Sequence, residues 1–152
     1  MAAGVRQDAS GDTLADRLTE LGYIVERGVV PDDQPAIVAE VIVQSARHRL
    51  LVATGGTGLG PRDVTPQALR QLLDYEIPGF GEVMRAVGRG STPMADLSRS
   101  LAGVRGRSLV VAVPGSVSGA TESLDALAPL LEHALETLGG HTDHGPGQDT
   151  SE

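Results

Sequence analysis

Cysteine is absent from these 152 residues, which excludes disulfides, thiolate zinc sites, iron–sulfur clusters and a cysteine nucleophile. The lack of disulfides fits the cytoplasm, which is the expected compartment. Lysine is absent too, since all 12 basic residues are arginine. That removes the lysine of a Walker phosphate loop and any Schiff-base lysine. The aromatics are only Phe80, Tyr23 and Tyr75, so the core must be aliphatic. No apolar run approaches the roughly 18 residues of a membrane span. Met1 to Asp12 carries no hydrophobic signal region, so neither export nor a membrane partner is expected. Positive charge is scarce overall. With 20 acidic residues the net charge is −8, which argues against nucleic acid as a partner. The distribution is uneven, however: Arg85, Arg89, Arg99, Arg105 and Arg107 share their segment with Asp96 alone. A local anion site is compatible with an acidic whole, and solvated helix faces and turn arginines are the competing reading.

What is present concentrates between Leu51 and Leu69. An apolar run ends in Thr54-Gly55-Gly56-Thr57-Gly58, followed by Arg62-Asp63 and by Thr65-Pro66 at a helix start. Glycines allow a sharp turn and let bare amides approach an anion, and a helix N-terminus adds partial positive charge. A strand–loop–helix unit of this kind holds phosphate. Asp63 is placed to meet a magnesium ion on those phosphates, or, alternatively, only to favour the helix dipole.

The hydrophobic pattern predicts a loop over 1–12, helices over 13–21 and about 35–47, and a strand-like stretch over 23–30. Leu50 to Ala53 and Leu109 to Val113 read as short strands buried on both faces. Thr65 is the expected cap of a helix with Pro66 at its first position. Further helices are expected over 79–87, 94–101 (stopped by Gly103) and from about Ala120 to Leu138, with a disordered tail from 140 onward. Alternating strands and helices predict an α/β fold, a three-layer α/β/α sandwich with a mainly parallel central sheet. The turns after Ala53 and Val113 then share the C-terminal strand edge, where ligands bind. His48, His133, His141 and His144 show no metal-like clustering and are read as non-catalytic.

Beyond the glycine loop, further motifs stand in order: Val29-Val30-Pro31-Asp32-Asp33, Ile77-Pro78-Gly79, Thr92 to Arg99 as T-P-x-A-x-L-S-R, Ala102 to Gly106 as A-G-x-x-G, and Pro114-Gly115-Ser116. Together they resemble the molybdopterin adenylyltransferase family, the Mog/MoaB-type proteins of molybdenum cofactor biosynthesis, over roughly Ala2 to Leu138. Thr57-Gly58 and Pro61-Arg62-Asp63 favour this branch over related molybdotransferase and competence-damage-type domains.

The resemblance implies a molybdopterin-binding domain over 1–139 and a magnesium-dependent nucleotidyltransferase. Its reaction would move AMP from ATP to the terminal phosphate of molybdopterin and release pyrophosphate. It implies Asp63 as the catalytic and metal residue. It also implies Gly55, Gly56, Thr57, Gly58, Ser98, Arg99, Pro114, Gly115 and Ser116 as residues binding ATP or pterin. A homotrimer or hexamer is implied, with the downstream metal-insertion protein as a further partner. This sequence departs from the family in two ways. The family's first apolar strand has no counterpart ahead of Asp8, and Ala112 stands where asparagine is usual. Both departures keep open a non-catalytic molybdopterin-binding or assembly homologue.

Overall fold

A computed structural model describes residues 9–140. Five helices, α1 (Ala9–Glu20), α2 (Gln34–Arg47), α3 (Thr65–Arg70), α4 (Pro78–Arg89) and α5 (Val117–Leu138), surround strands β1 (Leu50–Thr54), β2 (Tyr75–Glu76), β3 (Leu101–Arg105) and β4 (Ser108–Val113). The strands form one sheet in the order β1-β4-β3-β2. β4 is its spine. Leu109, Val111 and Val113 face one side, with Leu14 and Leu18 of α1, Phe80 and Met84 of α4, and the leucines of α5. Val110 and Ala112 face the other, with Val41 of α2 and Leu69 of α3. This period-2 alternation makes a two-sided core, and helices on both sides give the expected α/β/α layers.

The sheet is mixed. The two apolar strands pair in parallel, Leu50 with Leu109 through Thr54 with Val113, as expected. The β4–β3 and β3–β2 pairings are antiparallel. The reason is local: β3 and β4 are joined by a two-residue turn at Gly106-Arg107, with Gly106 at φ 60°. So tight a turn permits only an antiparallel hairpin.

Several local expectations change. The helix predicted over 94–101 is a 3₁₀ turn, Pro93–Leu97, followed by β3. Gly103 does not stop an element; it sits inside β3, where a Cβ would lie 2.5 Å from the carbonyl oxygen of Tyr75. Its bareness admits β2. The stretch 23–30 has no helix and joins no ladder among the described residues. α1 starts at Ala9, inside the expected loop. Thr65 is not the cap of α3: Val64 holds that position without a side-chain bond, and the Thr65 hydroxyl is used elsewhere. The expected tail lies outside the described residues apart from Gly140. Ala112 is fully buried, in register with Ala53 and Leu101; an amide there would enter an apolar cluster.

Glu26 ties the 23–30 stretch to the end of α2, accepting from His48 at 2.7 Å and Arg47 at 3.3 Å. The His48 hydrogen bond, then the Arg47 charge, hold its carboxyl below the usual glutamate value. A lowered folded-state pKa stabilises the fold above the unfolded-chain value, and that contribution is lost as pH falls through the folded value. In an NMR titration Glu26 should therefore show a midpoint below that of an ordinary glutamate, and His48→Ala should move it back up. In the core, Leu127→Ala, at a fully buried α5 position, should cost about 2–5 kcal/mol in urea unfolding. Leu59→Ala, at a residue 67% exposed, should stay within about 0.5 kcal/mol of the parent.

Candidate functional site

The parallel β1–β4 pair delivers two turns to the same sheet edge. Gly55 and Gly56 follow β1 at φ 96° and 72°, a backbone that side-chain-bearing residues rarely adopt. The Gly55 amide donates to Val113 at 3.2 Å. A Cβ on Gly115 would come within 3.1 Å of the Gly55 Cα. Thr54 donates its hydroxyl to the Pro114 carbonyl at 3.0 Å. Thr65 donates to the Gly55 carbonyl at 3.0 Å, and its amide to that of Gly56 at 3.1 Å. A Cβ on Gly56 would fall 2.2 Å from the Thr65 hydroxyl, so the loop closes against α3 only because that side chain is missing.

Asp63 folds back into the loop. Its Oδ2 accepts from the Gly60 amide at 2.8 Å, and a Cβ on Gly58 or Gly60 would meet that oxygen at 2.9 or 3.0 Å. The second carboxylate oxygen, Oδ1, has no donor among the described residues. The amides of Gly56, Thr57 and Gly58 likewise have no acceptor among the described residues. Three successive half-buried or buried donors thus stand beside one carboxylate oxygen with spare capacity.

Arg99 is drawn into the loop's own architecture. Its guanidinium donates to the Gly58 carbonyl through Nε at 3.0 Å and Nη2 at 2.8 Å, to the Asp63 carbonyl at 2.7 Å and to Gln67 at 3.3 Å. Its amide donates to Thr57 at 2.7 Å. The flanking hydroxyls form a chain: Thr57 lies 3.4 Å from Ser98, and Ser98 lies 2.8 Å from Ser100. Arg85 braces this segment by donating to the carbonyls of Ser98 and Ser100 at 3.2 and 3.0 Å. Ser98 and Arg99 line a polar cleft of about 390 Å³ together with Arg70, Glu76, Glu82 and Arg85. Gly55 and Gly115 do not border that cleft. Ser116 caps α5, its hydroxyl accepting from Gly119 at 3.0 Å.

The structure therefore gathers all the predicted residues at one edge, but in two compartments: glycine turns on one side of Thr57 and Arg99, a serine-lined cleft on the other. The five arginines expected to offer an anion site are engaged internally. Arg105 and Arg107 donate to carbonyls of Leu72, Leu138 and Gly139, and Arg89 pairs with Asp96. Arg62, exposed and without a hydrogen bond among the described residues, is the cation left at the loop. Thr65 was read from the sequence only as a cap and Arg85 only as one of five clustered arginines, and Ser100 was not singled out. The i, i+2 spacing of Ser98 and Ser100 was the available signal for one of them.

The sequence from 1 to 133 matches the family described as a probable molybdopterin binding domain. The chain belongs to this family. It is 39% identical over 148 residues to the molybdenum cofactor biosynthesis bifunctional protein of Synechococcus elongatus, covering 95% of this chain and 46% of that protein. The chain thus spans about half the length of that relative. It is 34% identical over 145 residues to the molybdopterin adenylyltransferase of Helicobacter pylori strain J99, covering 91% of this chain and 81% of the relative. The solved molybdopterin biosynthesis enzyme MoaB of Thermus thermophilus superposes with a TM-score of 0.83 at 46% identity, over 90% of this chain and 88% of that one.

Arg99 emerges as a brace for the loop. Arg99→Lys keeps the charge but loses the planar fork that spans two carbonyls. The Gly60 amide should then exchange about tenfold faster by hydrogen–deuterium exchange, with the unfolding midpoint nearly unchanged.

Proposed function

We propose that this chain transfers AMP from ATP to the terminal phosphate of molybdopterin. A molybdopterin phosphate oxygen attacks the α-phosphorus of ATP. The α–β phosphoanhydride bond breaks, and pyrophosphate leaves with the bonding electron pair. The observation that carries this reading is the row of amides at Gly56, Thr57 and Gly58 without acceptors among the described residues, beside the Oδ1 of Asp63, which has no donor among them. Similarity to the molybdopterin adenylyltransferase of Helicobacter pylori supports it.

Each residue then has a task. The three amides and the exposed Arg62 hold phosphate oxygens where charge develops, and phosphoryl transfer depends chiefly on such positioning and electrostatics. The N-terminus of α5, capped by Ser116 behind Gly115, adds favourable potential for an anion. The Thr57–Ser98–Ser100 hydroxyls and the cleft beside them receive the pterin. Arg99 acts as a positioning residue that keeps the loop in shape. Magnesium fits the donor set: it binds through one or two carboxylates plus substrate phosphates, and Asp63 offers one hard oxygen. The described residues hold no cluster of three or more His, Cys, Asp or Glu, so such an ion would share its coordination with the phosphates. Bound there, it would neutralise the departing pyrophosphate.

A second reading, a molybdopterin-binding homologue without turnover, is favoured by one observation: the Asp63 carboxylate itself fills the glycine hollow. Incubation with molybdopterin, ATP and Mg²⁺ separates the two. Adenylated molybdopterin and pyrophosphate should form, and Asp63→Ala should lower kcat by about 10²–10³-fold while molybdopterin binding changes little. Tight molybdopterin binding with no AMP transfer by the parent chain would select the second reading.

A further inference from the structure

Most of the charges lining the serine cleft are spent within the protein. Glu76 accepts from Arg70 at 3.0 Å, Asp96 accepts from Arg89 at 2.7 Å, and Arg99 is committed to loop carbonyls. Glu82, exposed on α4, lines the same cleft and has no hydrogen bond or ion pair among the described residues. Arg85 follows at i+3, a spacing that ordinarily joins opposite charges on a helix. Here no ion pair forms, because Arg85 Nη1 donates to the carbonyls of Ser98 and Ser100. Its Nη2 has no acceptor among the described residues. A Cβ on Gly81 would fall 2.6 Å from that Nη2 and 2.9 Å from the Ser100 carbonyl oxygen. The bareness of Gly81 is therefore what lets Arg85 reach across. An unpaired carboxylate and an anchored guanidinium with a spare N–H thus stand one helical turn apart on one wall of the cleft.

We infer that Glu82 is the specificity residue for the pterin ring, with Arg85 beside it as its partner. This rests on the assignment of the pterin to the serine-lined cleft. The pyrimidine edge of a pterin presents three groups in a row: the 2-amino N–H, the ring N3–H and the 4-oxo oxygen. In hydrogen-bonding terms that row is donor, donor, acceptor. An ionised carboxylate is acceptor-only and takes two donors side by side, whereas a guanidinium only donates. Glu82 and Arg85 supply the complementary row. The two Glu82 oxygens accept from the 2-amino group and N3–H, and Arg85 Nη2 donates to the 4-oxo oxygen. Glu76 and Asp96 could take this part only by giving up their arginines. The cleft volume of about 390 Å³ lies within the range of small-molecule sites. Thr57 and Ser98 stand between this wall and the glycine turn. A ring held at Glu82 therefore sends its phosphate-bearing arm across those hydroxyls toward the loop amides. Glu82 itself moves no proton and forms no covalent bond.

The test is binding without ATP or Mg²⁺, so AMP transfer does not enter the readout. Molybdopterin affinity is measured by equilibrium ultrafiltration for the parent, Glu82→Gln and Glu82→Ala. Bound molybdopterin is then displaced with three competitors. They are 6-hydroxymethylpterin, 6-hydroxymethyllumazine (a carbonyl in place of the 2-amino group) and guanosine, which carries the same edge on a different ring pair. Both variants should bind molybdopterin about tenfold or more weakly. Their unfolding midpoints should match the parent, because the side chain is exposed. The parent should favour the pterin over the lumazine by about tenfold or more, since the lumazine carbonyl would face the carboxylate. Glu82→Gln should narrow or reverse that preference, because its amide donates to the carbonyl and still accepts from N3–H. A merely structural role for Glu82 would leave the preference unmoved. Parent-like affinity in both variants, an unchanged preference in Glu82→Gln, or displacement by guanosine as readily as by the pterin overturns the inference. So does the absence of molybdopterin binding by the parent. A parent that shows the expected binding pattern but transfers no AMP would defeat the proposed reaction alone.

Discussion

Five parallel register pairs between β1 and β4 decide where everything else can stand. Parallel strands end at the same edge, so the glycine turn after Thr54 and the Pro114–Ser116 turn must meet. They meet closely enough that a Cβ on Gly115 would come within 3.1 Å of the Gly55 Cα. From that junction the Gly55 amide is used up on Val113, and the next three amides have no acceptor among the described residues. A row of unsatisfied donors is costly in a folded chain unless a ligand or water meets it. The same pairing that builds the core therefore leaves at its end donors for a ligand or water to meet.

The absence of lysine acquires structural meaning here. A lysine is a compact charge on a flexible stem, whereas an arginine fork bonds several acceptors at fixed angles. Arg85, Arg99, Arg105 and Arg107 each donate to backbone carbonyls at loop or helix ends. The fold uses arginine as a clamp on orphaned carbonyls. A count of basic residues along the segment suggested an anion site, but the guanidinium groups are consumed by the chain itself. The proposed function therefore assigns recognition to backbone amides and to Arg62, features that charge counting does not see.

Legibility in the sequence followed burial. Leu109 to Val113 and the α5 leucines announced themselves because burial leaves only apolar choices there. The glycine loop was legible because its backbone excludes side chains. β3 was missed because Gly103, which is bare to admit the Tyr75 carbonyl, looks in sequence like a helix stop. β2, two residues long and exposed, offers no pattern at all. Thr65 was read as a cap because Thr-Pro at a helix start usually is one; the hydroxyl went to Gly55 because the turn's carbonyl was otherwise unpaired. Which residues the proposed function assigns to which substrate came only through the resemblance, since the loop amides it invokes belong to no side chain.

The stretch 23–30 shows the remaining limit. Its residues have a strand's composition, and the expectation of a strand was sound as far as local preference goes. A strand, though, is a relation between two backbones, and local preference cannot supply the partner. β1 shows the converse, an interior composition held at an edge. Each mismatch alone would be a local irregularity. They face one another across a cleft lined by leucine, isoleucine and valine. The consequence extends to the glycine turn, because Thr54, at the end of β1, bonds both Ser10 and Pro114. One hydroxyl thus ties the start of α1 and the Pro114–Ser116 turn to the strand from which the glycine turn springs.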